Sequence, residues 1–129
     1  MSTVEVSEAS FDETIKGNDI VFVDFWAEWC GPCRSFGPVY EAVSEENKDI
    51  VFAKVDTEAQ QGLASAFQIT SIPTLMAVRD SVVLYSQPGA LPEADLRKLV
   101  QAVKDVDMKQ VHADIAAEQA KAAAPDESA

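Results

Sequence analysis

The sequence predicts an α/β fold in which a partly parallel sheet carries helices on both faces. Strand and helix patterns alternate through most of the chain. One strand, Ile20–Trp26, is apolar almost throughout, which is typical of a strand covered on both faces, so we expect it in the middle of the sheet. With 129 residues, 47% of them hydrophobic, the chain is long enough for one domain with a buried core.

The predicted elements follow the order β-α-β-α-β-α-β-β-α, and each depends on a local pattern. A short edge strand is predicted at residues 4–6, and residues 10–13 form a capping-box pattern that opens a helix ending at Gly17. After the apolar strand, core-spaced residues such as Phe36 and Tyr40 predict a helix over residues 33–47, which Pro38 should kink.

The second half of the chain continues the alternation. A strand is predicted at residues 50–55 and a helix at residues 59–67. Two further strand-like runs, at residues 74–78 and 82–85, are close enough to form a hairpin. Pro92 suits the first turn of a helix whose apolar face carries Leu96 and Val100. Strands separated by helices imply parallel pairing, and the hairpin adds antiparallel strands.

The composition changes after Asp105, where alanine and acidic residues dominate. We therefore expect one domain over residues 1–105 and a C-terminal extension over residues 106–129. Because alanine is the best helix former, residues 106–121 are expected to extend the last helix. The last few residues are expected to be disordered.

The net charge of −12 argues against nucleic acid or an anionic membrane surface as a partner, because binding either one depends on clustered Lys and Arg. The first residues have neither the basic nor the apolar segment of a secretory signal. No apolar stretch approaches the roughly 20 residues that span a bilayer. We expect a cytoplasmic protein that binds neither nucleic acid nor membranes.

Both cysteines of the chain lie in one pentapeptide, WCGPC at residues 29–33, directly after the apolar strand. A disulfide across so short a spacing removes little entropy from the unfolded chain, so it is a poor structural staple. Reversible redox chemistry is favoured instead, because unpaired N–H groups and the helix dipole stabilise a thiolate at a helix start. An inert pair and half of a zinc site are the alternatives. Zinc needs about four ligands and His112, the only histidine, is distant in sequence, so we predict no metal.

The pentapeptide is part of a wider pattern. Three segments stand out: VDFWAEWCGPC at residues 23–33, SIPT at residues 71–74 and GAL at residues 89–91. Together they resemble the bacterial-type thioredoxin family, and the resemblance covers roughly residues 4–105. It implies the thioredoxin fold, which has a central mixed five-stranded sheet flanked by helices on both faces.

The resemblance implies different roles for the two cysteines. Cys30, at the mouth of the helix, would be the attacking thiolate. Cys33, within the first turn and expected to be more shielded, would resolve the mixed disulfide. Gly31 and Pro32 would shape the active-site turn, and by resemblance this Gly-Pro pair marks the reducing members of the family.

Asp24 interrupts the apolar strand, so we expect it to be buried with a raised pKa. By resemblance it would lie beneath the second cysteine and act as the proton acceptor for Cys33. A strand-end aspartate facing solvent is the alternative. Lys54 matches a family lysine near that carboxylate and would modulate it, or else its ammonium group simply reaches the surface.

Pro73 forces an extended conformation on the residue before it. Only about 5–6% of X-Pro bonds are cis, but the resemblance implies a cis bond here, facing the cysteines. The backbone of Ile72 would then pair with an extended substrate segment. The expected substrate-binding surface comprises Trp29, Gly31, Pro32, Ile72, Pro73, Gly89 and Ala90. Trp29 could instead be a core residue, but we expect Trp26 to be the more buried of the two.

The sequence departs from the family pattern at the hairpin. Arg79, Asp80 and Ser81 replace a glycine-containing turn that tolerates positive φ, so we expect a different turn type. Pro88 also stands where the family has a β-branched residue, and it should stiffen one wall of the substrate-binding surface.

These features predict a protein-disulfide reductase that works by reversible dithiol/disulfide exchange at Cys30 and Cys33. The resemblance implies no bound cofactor, electrons supplied from NADPH by a flavoprotein thioredoxin reductase, protein disulfides as substrates and a monomeric state. Two alternatives stay open. One is a thioredoxin-like docking or chaperone module that uses its acidic C-terminal tail, and the other is a dedicated reductant of one partner enzyme.

Overall fold

The computed structural model describes residues 2–123 of the chain. Its elements are β1 (Thr3–Glu5), α1 (Glu8–Lys16), β2 (Ile20–Trp26), α2 (Gly31–Glu46), β3 (Val51–Asp56), α3 (Gln61–Ala66), β4 (Thr74–Arg79), β5 (Val82–Pro88), α4 (Glu93–Asp105) and α5 (Met108–Ala123). The strands form one five-stranded sheet in the order β1-β3-β2-β4-β5, parallel from β1 to β2 and antiparallel beyond it. The predicted mixed sheet, with β2 at its centre, is confirmed. None of the helices in this range is long and apolar enough to cross a membrane.

The side chains of β2 alternate between the two faces of the sheet. Val21, Val23 and Phe25 are buried in a hydrophobic cluster with side chains of α1 and α3. Phe22 is buried in a second cluster with side chains of α2 and α4. Asp24, two residues after Phe22, therefore lies on the face of the sheet that α2 covers.

Helix α1 begins two residues before the predicted capping box. Ser7 is the N-cap, and its backbone N–H donates to Oγ of Ser10 at 3.0 Å. Ser10 is therefore the third residue of the helix rather than the residue that caps it. The predicted helix exists, but its capping box lies three residues earlier than predicted.

The predicted ends of α2 and α3 also need correction. Cys30 is the N-cap of α2, which starts at Gly31 and continues past Pro38; the predicted kink stays a prediction. Helix α3 is shorter than the predicted helix at residues 59–67. Its first predicted residues form a turn instead, because Oδ1 of Asp56 accepts the backbone N–H groups of residues 58 and 59.

The hairpin between β4 and β5 turns at Asp80 and Ser81, which have φ values of 51° and 64°. Positive φ at both central residues is the type I′ pattern, whose twist matches that of the flanking strands. The expected departure from a positive-φ turn is therefore wrong. The backbone N–H of Asp80 donates to the carbonyl of Asp19 at 2.8 Å, which fixes the turn against the loop before β2.

The C-terminal segment does not extend α4 as predicted. Val106 has an extended backbone, with ψ of 133°, and α5 begins as a separate helix. Arg79 accounts for the break, because its Nη1 lies 2.9 to 3.0 Å from the carbonyl oxygens of residues 103, 104 and 106. Asp107 then caps α5 by accepting the backbone N–H of Gln110 at 3.2 Å. The disorder predicted for the last few residues falls on residues 124–129, outside the described part of the chain.

We expect Arg79→Met to destabilise the protein by about 2 kcal/mol, because it leaves the carbonyl groups at the end of α4 without their charged donor. Arg97→Met is the matched control. Arg97 pairs with Glu46 and Glu93 on the surface, where an ion pair contributes about 0–1 kcal/mol. Urea unfolding measures both changes, and equal losses would contradict the role assigned to Arg79.

Candidate active site

The two cysteines lie at the N-terminal end of α2, directly after the loop that follows β2. Cys30 is the N-cap, and it is joined by a disulfide to Cys33 with the two Cα atoms 5.2 Å apart. Only 4% of Cys30 and 3% of Cys33 is exposed, so the expected greater shielding of Cys33 is not observed. Position on the helix distinguishes them instead. Within residues 2–123, no three His, Cys, Asp or Glu side chains are grouped as a metal site would require.

The helix start determines the electrostatic surroundings of Cys30. Its Sγ accepts a hydrogen bond from the backbone N–H of Cys33 at 3.2 Å, and this N–H is one of the donors that a helix leaves unpaired in its first turn. That turn contains no acidic residue. After reduction, the same N–H and the positive end of the helix dipole would stabilise a thiolate on Cys30.

Asp24 is fully buried, as predicted, and the solvent-facing alternative is wrong. Neither of its carboxyl oxygens has a hydrogen-bond partner among the described residues. Burial is the main reason that the pKa of Asp24 rises from its ordinary value of 3.8 to about 7. Lys54 lowers this pKa and Glu5 raises it, each by less than burial does. A carboxyl group with this pKa can accept a proton near neutral pH.

Lys54 is next to Asp24 in the sheet, because the two are paired residues of β3 and β2. Its side chain is half-buried, and its Nζ is 4.4 Å from the centre of the Trp26 ring. An ammonium group over an aromatic face is attracted by the ring. Lys54 therefore packs along the sheet, close enough to lower the pKa of Asp24, rather than extending freely into solvent.

The Ile72–Pro73 peptide bond is cis, as predicted. Ile72 packs on Cys30 and Cys33, and its carbonyl oxygen is 3.8 Å from Sγ of Cys30. Pro73 is buried, and its carbonyl oxygen accepts the backbone N–H of Gly89 at 2.8 Å. Gly89 has φ of 109°, which residues with a side chain rarely adopt. The disulfide, the cis-proline loop and the residue after β5 thus meet at one site.

The residues expected to bind substrate differ in exposure. Trp29 is 66% exposed and Trp26 is half-buried, as predicted, so a core position for Trp29 is wrong. Ile72 is half-buried, and the other exposed members are Gly31, Pro32, Gly89 and Ala90. A Cβ at Gly31 would meet no atom within 4 Å, so the space above it is open to the backbone of a partner.

Glu58 also contacts the site, although no sequence motif marks it. Its Oε1 accepts a hydrogen bond from Nε1 of Trp29, which holds the exposed indole in place. Strands β2 and β3 are parallel neighbours, so the residues that follow them meet at the same edge of the sheet. Trp29 follows β2 and Glu58 follows β3, so the pairing of these two strands is the feature from which their contact could have been predicted.

Comparison with known proteins relates most of the chain to one family. The thioredoxin family model matches residues 2–102. A putative thioredoxin 2 of Streptomyces coelicolor is 55% identical over 121 residues, which cover 94% of this chain and 90% of that protein. A thioredoxin of Bacillus subtilis is 37% identical over 102 residues, which cover 78% of this chain and 96% of that protein. The longer match extends beyond the family model into the C-terminal segment.

Solved structures agree with this assignment. A mutant thioredoxin from Halobacterium salinarum has a TM-score of 0.74 and 32% identity, covering 81% of this chain and 91% of that one. The oxidised thioredoxin of Plasmodium falciparum has a TM-score of 0.72 and 35% identity, covering 79% and 98%. Thioredoxins need no bound cofactor, and they act with a reductase and with disulfide substrates. The chain therefore belongs to the thioredoxin family, and the Cys30–Cys33 pair is the redox centre of a protein-disulfide oxidoreductase.

Proposed function

We propose that this protein is a general cytoplasmic reductase of protein disulfides. The observation that carries the proposal is the disulfide between Cys30, at the N-cap of α2, and Cys33, in its first turn. The helix start favours a thiolate on Cys30, and the short ring suits a redox group better than a staple. A reducing compartment would return the pair to its dithiol form.

The reaction proceeds by two exchanges of sulfur partners. The Cys30 thiolate attacks one sulfur of the substrate disulfide, forms a mixed disulfide and expels the other substrate sulfur as a thiolate. Cys33 then loses its proton and attacks Sγ of Cys30. This step releases the second substrate sulfur as a thiolate and forms the Cys30–Cys33 disulfide. The substrate gains two electrons, and the protein loses two.

Asp24 is the proton acceptor for Cys33 in the second step. Three observations support this role: burial without a hydrogen-bond partner, a pKa of about 7, and a position on the sheet face that α2 covers. A base with a pKa near the working pH combines the correct protonation state with useful basicity. Lys54 modulates Asp24 because it favours the ionised carboxylate.

The substrate binds as an extended segment across the exposed surface beside the disulfide. The backbone of Ile72, next to the buried cis Pro73, supplies hydrogen bonds of the kind that strands exchange. Trp29, Gly31, Pro32, Gly89 and Ala90 complete the surface around it. Contacts made mostly through backbone and apolar surface favour many substrates over one dedicated partner.

The dithiol is regenerated by a flavoprotein thioredoxin reductase that draws electrons from NADPH, and the protein acts as a monomer. Residues 1–105 form the functional domain, and residues 106–129 form an extension. The match to the family model, which ends at residue 102, supports this division. The docking-module alternative depends on the extension alone.

The wild-type protein is expected to accelerate the reduction of insulin by dithiothreitol, and Cys30→Ser is expected to be no faster than dithiothreitol alone, because it lacks the attacking sulfur. Turbidity from the released insulin chain measures the rate. No acceleration by the wild type would overturn the proposed function. Equal acceleration by the variant would overturn the role of Cys30.

Two variations of the same assay test the proposed electron route and the role of the C-terminal extension. Replacing dithiothreitol with NADPH and a purified thioredoxin reductase should sustain turnover if the proposed electron route is correct. A chain lacking residues 106–129 should keep its rate, and a lost rate would place the extension inside the functional unit.

A further inference from the structure

Three ionisable residues form a row across the sheet. Glu5 of β1 pairs in register with Lys54 of β3, and Lys54 pairs in register with Asp24 of β2. These strands are parallel, so the three side chains point to the same face. Thr3, two residues before Glu5, hydrogen-bonds to Glu41 of α2, which identifies this face as the one that α2 covers.

The row places an acidic residue on the strand on either side of Lys54, whose Nζ lies 4.4 Å from the centre of the Trp26 ring. Because neighbouring strands are about 4.8 Å apart, the backbones of Glu5 and Asp24 are roughly 10 Å apart. Charges on side chains at this spacing interact at low salt. Glu5 lies on the exposed edge strand. Burial raises the pKa of Glu5 above its ordinary value of 4.5, Lys54 lowers it and Asp56 raises it.

We propose that Glu5 is a positioning residue that acts on Asp24 electrostatically, by direct repulsion and through Lys54, which lies on the strand between them. The inference rests on the proposed function, in which Asp24 accepts the proton of Cys33. Lys54 lies on the strand between those of Glu5 and Asp24 and attracts both carboxylates, so its attraction to Glu5 weakens its attraction to Asp24. The edge strand thereby acts on a group buried two strands away.

The other groups around Asp24 do not replace Glu5 in this role. Helix α2 contributes Tyr40, which burial keeps neutral by raising its pKa, and Cys33 in the first turn. It also contributes Glu41, which accepts a hydrogen bond from Thr3, two residues before Glu5 on β1. Strand β4 contributes Leu75, which is apolar. Asp56 lies farther along β3, on the same face as Lys54, and is adjacent to the row rather than part of it.

Glu5→Gln is expected to move the midpoint of the Asp24 titration to lower pH by roughly half a pH unit. The substitution removes a negative charge that repels the Asp24 carboxylate and that competes with it for the attraction of Lys54. Carbon-13 NMR of the aspartate carboxyl carbons in the reduced protein at low salt measures this midpoint. Asp24→Asn identifies the resonance.

Glu13→Gln is the matched control, because it removes the same charge from an exposed position on α1. It should leave the Asp24 midpoint unchanged, and Glu5→Lys should lower the midpoint further than Glu5→Gln. At about 1 M salt the difference between wild type and Glu5→Gln should shrink. A Glu5→Gln midpoint equal to that of Glu13→Gln, or above that of the wild type, would overturn the inference. The titration requires no turnover, so a failed insulin assay would overturn the proposed function without deciding this point.

Discussion

Cys33→Ser is expected to hold protein disulfides as a stable covalent adduct on Cys30, while multiple turnover falls to the rate of the reductant alone. The first attack needs only the Cys30 thiolate, and the backbone N–H of residue 33 that stabilises it is still present in the variant. The second attack needs a sulfur at residue 33, and a serine hydroxyl cannot replace it. The reaction should therefore stop at the mixed disulfide.

Non-reducing gel electrophoresis of each reduced variant mixed with a disulfide-bonded substrate protein measures the adduct. Cys33→Ser should form it nearly stoichiometrically, and Cys30→Ser should form almost none. Dithiothreitol should release the substrate, which shows that the bond is a disulfide. Similar adduct formation by both variants would mean that position on the helix does not select the attacking sulfur.

The central strand and the redox pair could be predicted because each depends on few neighbouring residues. The apolar run of β2 is sufficient to place it between two covered faces. The spacing of Cys30 and Cys33 alone fixes the size of their ring. The burial of Asp24 also followed from local sequence, since a carboxyl group inside such a run has no route to solvent.

Contacts between residues distant in sequence account for what was not predicted. Helix α4 ends where it does because Arg79, on β4, binds its last carbonyl groups. The glycine-free turn at Asp80 has positive φ, and Asp19 holds it from another loop. Glu58 reaches Trp29 only once β2 and β3 are paired. Composition and periodicity carry no direct information about such pairs.

Asp24 is where the local and global requirements of the fold disagree. An apolar side chain there would suit a strand that is buried on both faces, yet the chain places a carboxyl group without a hydrogen-bond partner at this position. A buried carboxylate costs free energy, and its raised pKa measures that cost. Such disagreements are expected at functional sites.

Asp24→Asn is expected to be more stable than the wild type by about 4 kcal/mol at about pH 8. The pKa of Asp24 is about 7 in the folded protein against an ordinary value of 3.8. This gap of about 3 pH units corresponds to about 4 kcal/mol at about 1.36 kcal/mol each. The stability that Asp24 contributes to the wild type is fully present below about pH 4 and is lost as the pH rises through about 7. The reason is that Asp24 ionises at lower pH in the unfolded chain than in the folded protein. Asparagine does not ionise. The stability difference between Asp24→Asn and the wild type should therefore increase as the pH rises from about 4 through about 7.

Urea unfolding of the oxidised proteins at about pH 4, 6 and 8 measures this difference. Asp19→Asn, at an exposed aspartate before β2, is the matched control and should show no pH-dependent change. A stability difference that is the same at every pH would attribute the effect to packing rather than to ionisation. If Asp24→Asn gains stability at high pH and also resolves mixed disulfides more slowly, the two effects have one cause. The free energy that the fold loses by burying this carboxyl group then keeps a proton acceptor available to Cys33 near neutral pH.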